Sequence, residues 1–341
     1  MNRAFVTGGT GFIGANLVAA LAGRGVPARV LRRQSSSLKA LEGLDYETAI
    51  GDVLDPPAAL AEAISGCDWV FHAAAVADYW RQGRERVYRV NVQGTRHVLE
   101  AARLAGAGRL VFTSSLAAMG LSPAGRPLTE SDRFNLDPGR FPYGQSKHLA
   151  EIEVLRAAEA GLEAVIVNPT VVLGPRDVNL ISGSIIIEAA RGRLRFWPPG
   201  GVNFVAVQDV AAGHIAAAER GRPGQRYILG AHNLSHRQAL TIICQVVGRP
   251  PPRVGLPRWL LAPAALGVRL ARALAGNRVP LDANQVRLAG EFIYADSSKA
   301  LAELNLPQTE FTTAVRQTYR WYNDHAYLSG NSGHLARQEE A

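Results

Sequence analysis

Tyr143 and Lys147 stand four residues apart in Phe141-Pro-Tyr143-Gly-Gln-Ser-Lys147, and Lys147 is one of only three lysines in a chain with 34 arginines. A sequence that writes arginine almost everywhere keeps lysine here. A guanidinium is broad, planar and fork-shaped, whereas an ammonium is a compact point charge with three rotatable donors, so the position needs the smaller cation. Spacing of four places both side chains on one face of a helix. There the cation can lower the pKa of the phenol and hold a nucleotide ribose, making Tyr143 an acid or base usable near neutral pH.

Such a pair acts only if other segments bring a cofactor to it. Val6-Thr7-Gly8-Gly9-Thr10-Gly11-Phe12-Ile13-Gly14 follows a short apolar run, Ala4-Phe5-Val6, that reads as a buried first strand. Gly8 suits a tight turn, Gly11 the approach of a pyrophosphate, and Gly14 close packing of a helix over Ala15 to Ala22. Free amides at that helix start would face phosphate charge. Apolar runs then alternate with helical stretches, which indicates a parallel sheet covered on both faces. Strands are expected near Ala28–Leu31, Tyr46–Ile50, Trp69–His72, Leu110–Thr113 and Val165–Asn168, with helices over Glu85–Ala105 and Gly144–Ala160. In that order Asp52, Ala73-Ala74-Ala75 and Ser114-Ser115 fall at carboxyl ends of strands, the edge where an open α/β sheet binds ligands.

In this order the motifs resemble the extended short-chain dehydrogenase/reductase family, within the NAD-dependent epimerase/dehydratase superfamily. The likeness rests on the glycine turn, Gly51-Asp52, His72-Ala73-Ala74-Ala75, Asn91-Val92-Gln93-Gly94-Thr95, Thr113-Ser114-Ser115, Tyr143 with Lys147, Asn168-Pro169-Thr170 and Asp296-Ser297-Ser298-Lys299-Ala300, and runs to about Tyr327. Val167-Asn168-Pro169, Gly174-Pro175-Arg176-Asp177 and the stretch from Asp209 to His214 are similar to the dihydroflavonol reductase-like branch and its hopanoid-associated sugar epimerase group.

The resemblance implies that Tyr143 moves the proton, Lys147 lowers its pKa, Ser115 bonds the reacting oxygen with Ser114 as the alternative, and Asn91 supports the site. It implies a cofactor cradle of Gly8, Thr10, Gly11, Phe12, Ile13, Gly14, Asp52, Val53, Ala73, Ala74, Ala75, Thr113, Tyr143, Lys147 and Pro169, with Asp52 on the adenine amine. It also implies a homodimer built on the helices at 85–105 and 144–160. The fold expected is a Rossmann-type doubly wound α/β sheet with a smaller, mostly C-terminal substrate-binding cap. Residues 1–174 would form the cofactor domain, with return segments near 202–230. Residues 175–328 would be mainly cap, and 329–341 a solvated tail.

Charge at the end of the second strand bears on the cofactor. Arg29-Val-Leu-Arg32-Arg33-Gln-Ser35-Ser-Ser37 has no acidic residue to bind ribose hydroxyls, and Arg32 with Arg33 suits a 2′-phosphate, so NADP(H) is expected over NAD(H). A net charge of +8 raises nucleic acid as a partner, but the basic residues are scattered and no aromatic-interleaved basic cluster is present. Cys67 and Cys244 lack metal-ligand or redox spacing, which points to two reduced thiols and a cytoplasmic protein. His232 and His236 read as loop residues, and no metal site is indicated. The glycine turn occupies the place of an apolar targeting core, so no signal peptide is expected.

Trp259 to Val268, bounded by Arg258 and Arg269, is too short to span a bilayer. An amphipathic lid helix, a dimer contact and a peripheral membrane contact are all open to it, with packing as core or lid expected ahead of membrane contact. Ser115 and Thr170, with Tyr79, Trp80, Met119, Trp197 and Phe204, are candidates for an apolar substrate pocket.

A reductase or dehydrogenase acting on a small, fairly apolar carbonyl or alcohol heads the readings. A sugar or nucleotide-sugar epimerase or dehydratase comes second, and a non-catalytic cofactor sensor third. Where many nucleotide-sugar epimerases carry an arginine for the substrate diphosphate, this chain has Val202; Arg176, Arg195 and Arg287 are the possible substitutes.

Overall fold

The computed structural model describes residues 3–77, 83–122, 126–275 and 282–328. Tyr79, Trp80 and the expected tail lie outside them.

The first half builds β1 (Ala4–Thr7), α1 (Phe12–Ala22), β2 (Ala28–Arg32), β3 (Glu47–Ile50), α2 (Pro57–Ile64), β4 (Trp69–His72), α3 (Arg84–Tyr88), α4 (Gly94–Leu104), β5 (Arg109–Thr113), α5 (Pro142–Glu159) and β6 (Ala164–Pro169). The second half builds β7 (Val171–Leu173), α6 (Ser184–Ala190), β8 (Phe196–Trp197), β9 (Gly201–Ala206), α7 (Val207–Arg220), β10 (Arg226–Leu229), β11 (His232–Ser235) and α8 (His236–Val246). It ends with β12 (Val254–Gly255), α9 (Leu261–Ala275), α10 (Ala283–Leu288), β13 (Phe292–Ile293), α11 (Ser298–Leu304) and α12 (Phe311–Asp324).

Seven strands form one parallel sheet in the order β3-β2-β1-β4-β5-β6-β10. Its central strands are near-continuous apolar runs because both faces are covered. On one face α1 and α7 bury Leu17, Val18, Leu21, Val210 and Ile215. On the other, α2, α4 and α5 bury Leu60, Ile64, Val98, Leu99 and Val154. Each such side chain contributes about 1.5–3 kcal/mol. Strand order reverses between β1 and β4, and the crevice beyond the carboxyl ends there is the place for a ligand.

A second layer grows from the same edge. β9 pairs antiparallel with β11 along its length, while β13 pairs with its start and β7 with its end. Under this small sheet α6, α8 and α12 bury Ile186, Leu240, Ile243, Phe311 and Val315. Phe204 and Trp197 join this packing, with the Phe204 ring 4.8 Å from Phe311 and the Trp197 ring under Arg237.

Three expectations are corrected. The stretch expected as one helix from Glu85 to Ala105 is α3, a π-helical turn over Arg89–Gln93, and α4. His232 lies in β11, and His236 opens α8 behind the Ser235 cap. The Trp259–Val268 stretch, expected to pack as core or lid, packs only in part. After a short 3-10 turn at Arg258–Leu260, α9 buries only Leu261 and Ala265, the side facing α10, and leaves Trp259, Leu266, Leu270 and Leu274 exposed.

Candidate functional site

The glycine turn closes through a hydrogen bond from the Gly11 amide to the Gly8 carbonyl, 2.9 Å. Gly8 has φ +68°, and a Cβ there would sit 2.5 Å from the Ala74 nitrogen; one on Gly14 would lie 2.2 Å from the Gly8 oxygen. Both positions therefore exclude any side chain. No side chain caps α1 at Gly11 and its first turn has no acidic residue, so leading amides remain for an anion. Phe12 and Ile13 send their side chains toward the core beneath α1, which leaves their backbone to face the turn. These features fit the diphosphate of a nicotinamide dinucleotide.

Beside this turn, the Ala73 and Ala74 amides donate to the Thr7 carbonyl and hydroxyl, and Ala75 is exposed behind them. Arg33 lies 4.0 Å from the Asp52 carboxylate and is itself exposed. Asp52 also accepts the Leu54 amide at 3.0 Å, which holds the turn after β3. Val53 is buried in the core and offers no side chain to a ligand. Arg32 keeps a buried Nε without a hydrogen-bond partner among the described residues.

At the carboxyl end of β5 the two serines part. Ser114 turns inward and donates to Glu151 at 2.5 Å. Ser115 caps the 3-10 turn Leu116–Met119 and shares a hydrogen bond with the Tyr143 hydroxyl. Tyr143 opens α5 behind Pro142, and Lys147 one turn later donates to the Thr113 carbonyl at 2.7 Å. Burial pulls the Lys147 ammonium down to about 7, against the upward pull of Glu151. The Tyr143 phenol is moved up, not down: burial raises its pKa, and the Ser115 hydrogen bond offsets part of that. The expectation of a lysine-lowered phenol is thus reversed in this state. Leaving water disfavours phenolate, and the nearby cation is itself spent on a carbonyl.

Asn91 is fully engaged. Its carbonyl oxygen accepts the Val76 amide at 2.7 Å, and its amide donates to the Val76 carbonyl and to Ser146, whose hydroxyl donates to the Tyr143 carbonyl. It ties the segment following β4 to the first turn of α5, so the π-helical turn that carries it is a positioning device.

Two buried histidines complete the support. Thr95 donates to the Asn91 carbonyl, so His72 must donate from Nε2 to Thr95, 3.0 Å, and accept at Nδ1 from Thr7, 2.7 Å. His214 donates from Nδ1 to the Val210 carbonyl and accepts at Nε2 from Thr113. Burial lowers His72 to about 3 and His214 to about 4, so both are neutral. The Thr113 hydroxyl is therefore occupied by His214, and only its carbonyl faces the site.

Glu151, buried four residues after Lys147, receives Ser114, Asn168 at 2.6 Å and Arg226 at 3.2 Å. Asn168 also donates to the Ser115 carbonyl. Sequence reasoning missed this hub, although a glutamate one helical turn beyond the lysine was its signal.

Ser115 and Tyr143 open onto a cavity of about 210 Å³. Pro169 and Thr170 continue that wall, and the Thr170 hydroxyl is buried without a hydrogen-bond partner among the described residues. The rest of the lining includes Leu136, Val202, Asn203, Leu288 and Ile293, nearly all apolar. Three expected pocket residues are elsewhere. Met119 is buried with Leu116, Leu128 and Ile228, while Phe204 and Trp197 pack under the cap sheet. The apolar side chains that do face the cavity come from loops and short elements with no periodic signature.

Residues 4–230 match the model of the NAD dependent epimerase/dehydratase family. A putative dihydroflavonol 4-reductase of Synechocystis sp. is 38% identical over 329 residues, covering 95% of each chain. Sterol demethylase protein B of Methylococcus capsulatus is 34% identical, covering 95% of this chain and 99% of that protein. The crystal structure of gox2253 superposes with a TM-score of 0.83 at 34% identity, covering 95% of this chain and 99% of that one. The chain belongs to the NAD dependent epimerase/dehydratase family.

Proposed function

We propose that this family member is an NAD(P)-dependent reductase of a carbonyl on a small, largely apolar molecule, with the reverse alcohol oxidation at the same site. One observation carries the reading: the hydrogen-bonded Ser115 and Tyr143 hydroxyls face a cavity whose lining is otherwise almost wholly apolar. A nicotinamide cofactor, when bound, supplies the hydride. Ser115 and Tyr143 hold the substrate oxygen as negative charge builds on it, and Tyr143 gives up its proton there. A phenol raised by burial is protonated at neutral pH, the state a donor needs. Lys147 supplies the adjacent positive charge and a donor for a ribose hydroxyl, and Asn91 fixes the first turn of α5.

The glycine turn and the start of α1 would hold the diphosphate. Arg33, exposed and only loosely held by Asp52, would take a 2′-phosphate, which favours NADP(H) over NAD(H). The protein is further proposed to be a cytoplasmic homodimer joined through α4 and α5, to be checked by light scattering.

The family also contains epimerases, which grip a nucleotide diphosphate. Against that reading, Val202 is in the cavity wall, Arg176 is committed to the carbonyls of Ala40 and Glu42, and Arg195 and Arg287 are exposed. The test is a screen of apolar aldehydes and ketones for NADPH oxidation, beside proton NMR of UDP-glucose with enzyme and cofactor. Oxidation without a C4 epimer is expected; a C4 epimer would restore the epimerase.

A further inference from the structure

We propose that α9 and the turn before it dock this protein on the surface of an anionic lipid bilayer. Leu266, Leu270 and Leu274 recur at a spacing of four, so they form one stripe along α9, and Trp259 stands exposed in the 3-10 turn before it. Leu261 and Ala265 face the other way and are buried. The stripe is therefore not the inner face of an amphipathic helix but a second apolar face turned to solvent. Trp259 is 73% exposed and Leu274 91% exposed, far beyond ordinary scattered surface leucines.

Charge selects the occupant. From Arg249 to Leu281 the chain has six arginines and neither Asp nor Glu. Arg258 pairs with Glu291 beyond that segment, whereas Arg253 and Arg269 make no ion pair among the described residues. A second copy meeting this face about a two-fold axis would set arginine against arginine. A bilayer with anionic headgroups matches both components, taking the leucines at its hydrocarbon boundary and the arginines among its phosphates, with a tryptophan at the depth such residues prefer. The helix has 15 residues, too short to span, so it lies in the surface.

The position relative to the cavity gives docking a use. α9 packs on α10, which ends in Leu288, and β13 follows with Ile293; both residues line the cavity. Docking would bring that apolar wall to the boundary where membrane-dissolved molecules reside. This consequence for substrate class rests on the reductase reading, whereas docking itself does not.

The test is co-sedimentation of the full chain, without cofactor or substrate, with vesicles of phosphatidylcholine containing phosphatidylglycerol and with vesicles of phosphatidylcholine alone. Binding to the anionic vesicles, weakened by salt, is expected. Leu266→Glu with Leu270→Glu should reduce it about tenfold or more, and Arg253→Glu with Arg269→Glu several-fold, with unchanged melting and NADPH binding in each. No wild-type binding, equal binding to both vesicle types, or binding unmoved by either double variant would overturn the proposal. So would a wild-type dimer that the leucine variant turns into a monomer while vesicle binding persists. Because no turnover is read, failure here leaves the reductase reading standing, and the reverse also holds.

Discussion

The two walls of the cavity are built by different rules. On the sheet side, Ser115, Tyr143 and Thr170 sit at the ends of β5 and β6 and the start of α5, and the groups behind them are tied by Glu151, Asn91, His72 and His214. On the cap side, Leu136, Val202, Leu288 and Ile293 come from separate segments and present carbon, with Asn203 the polar side chain among them. One wall is a rigid arrangement of donors; the other is a shape. The difference assigns chemistry to the first and choice of substrate to the second, and it implies that substitutions should separate kcat from KM according to the wall they touch.

Tyr143→Phe gives the largest expected effect, since it deletes the proton donor and keeps the ring. Turnover on a carbonyl substrate should fall about 10²- to 10⁴-fold while NADPH affinity, read by titration calorimetry, stays within about twofold. Retained activity would break the division at its strongest point. Arg33→Ala should weaken NADPH binding roughly ten- to hundredfold and leave NADH almost unmoved, because a charge-assisted contact to phosphate is worth about 1.5–3 kcal/mol. Equal loss for both cofactors would show that Arg33 serves Asp52 instead.

On the opposite wall, Ile293→Ala removes three carbons from the shape alone. KM for bulky apolar substrates should rise by up to about sixtyfold, since three carbons at about 0.8 kcal/mol each come to about 2.4 kcal/mol, with kcat unchanged. A fall in kcat of the same size would mean that the cap also orients the reacting atom.

A further effect is on stability. His72 and His214 are held neutral when folded, with values of about 3 and about 4, yet each takes a proton near 6.5 once unfolded. Below pH 6.5 the unfolded state binds more protons, so stability is lost as pH falls toward 4, by at most about 1.4 kcal/mol per pH unit for each histidine. Denaturant melts between pH 7 and 4.5 should show that slope, and His214→Gln should flatten part of it. An unchanged slope would mean that other groups govern acid unfolding.

The same division explains what could be read before the fold was known. Gly8, Gly14, Tyr143 and Lys147 were legible because backbone sterics and helical spacing constrain residue type at each position. The parallel strands announced themselves as short apolar runs for a similar reason. The cavity wall did not, since Leu288 or Ile293 carries no local signal distinguishing a ligand-facing side chain from a buried one. Met119 and Phe204 failed as pocket residues on this ground: size and apolarity fit core and pocket alike. The direction of the Tyr143 shift was also beyond the spacing argument, because burial is a property of the assembled site.

The seat of Lys147 has a consequence for how this protein can vary. The oxygen that holds the ammonium is a main-chain carbonyl, that of Thr113, and no amino-acid exchange at position 113 deletes it. A saturation scan would score the threonine by its hydroxyl, which serves His214 on the other side of the sheet. The anchor would go unseen. What protects it is the pairing of β5 with β6, where Thr113 lies opposite Val167. Drift in sequence therefore leaves the cation's place intact as long as that register holds, whereas an insertion or deletion within β5 would move it at a stroke.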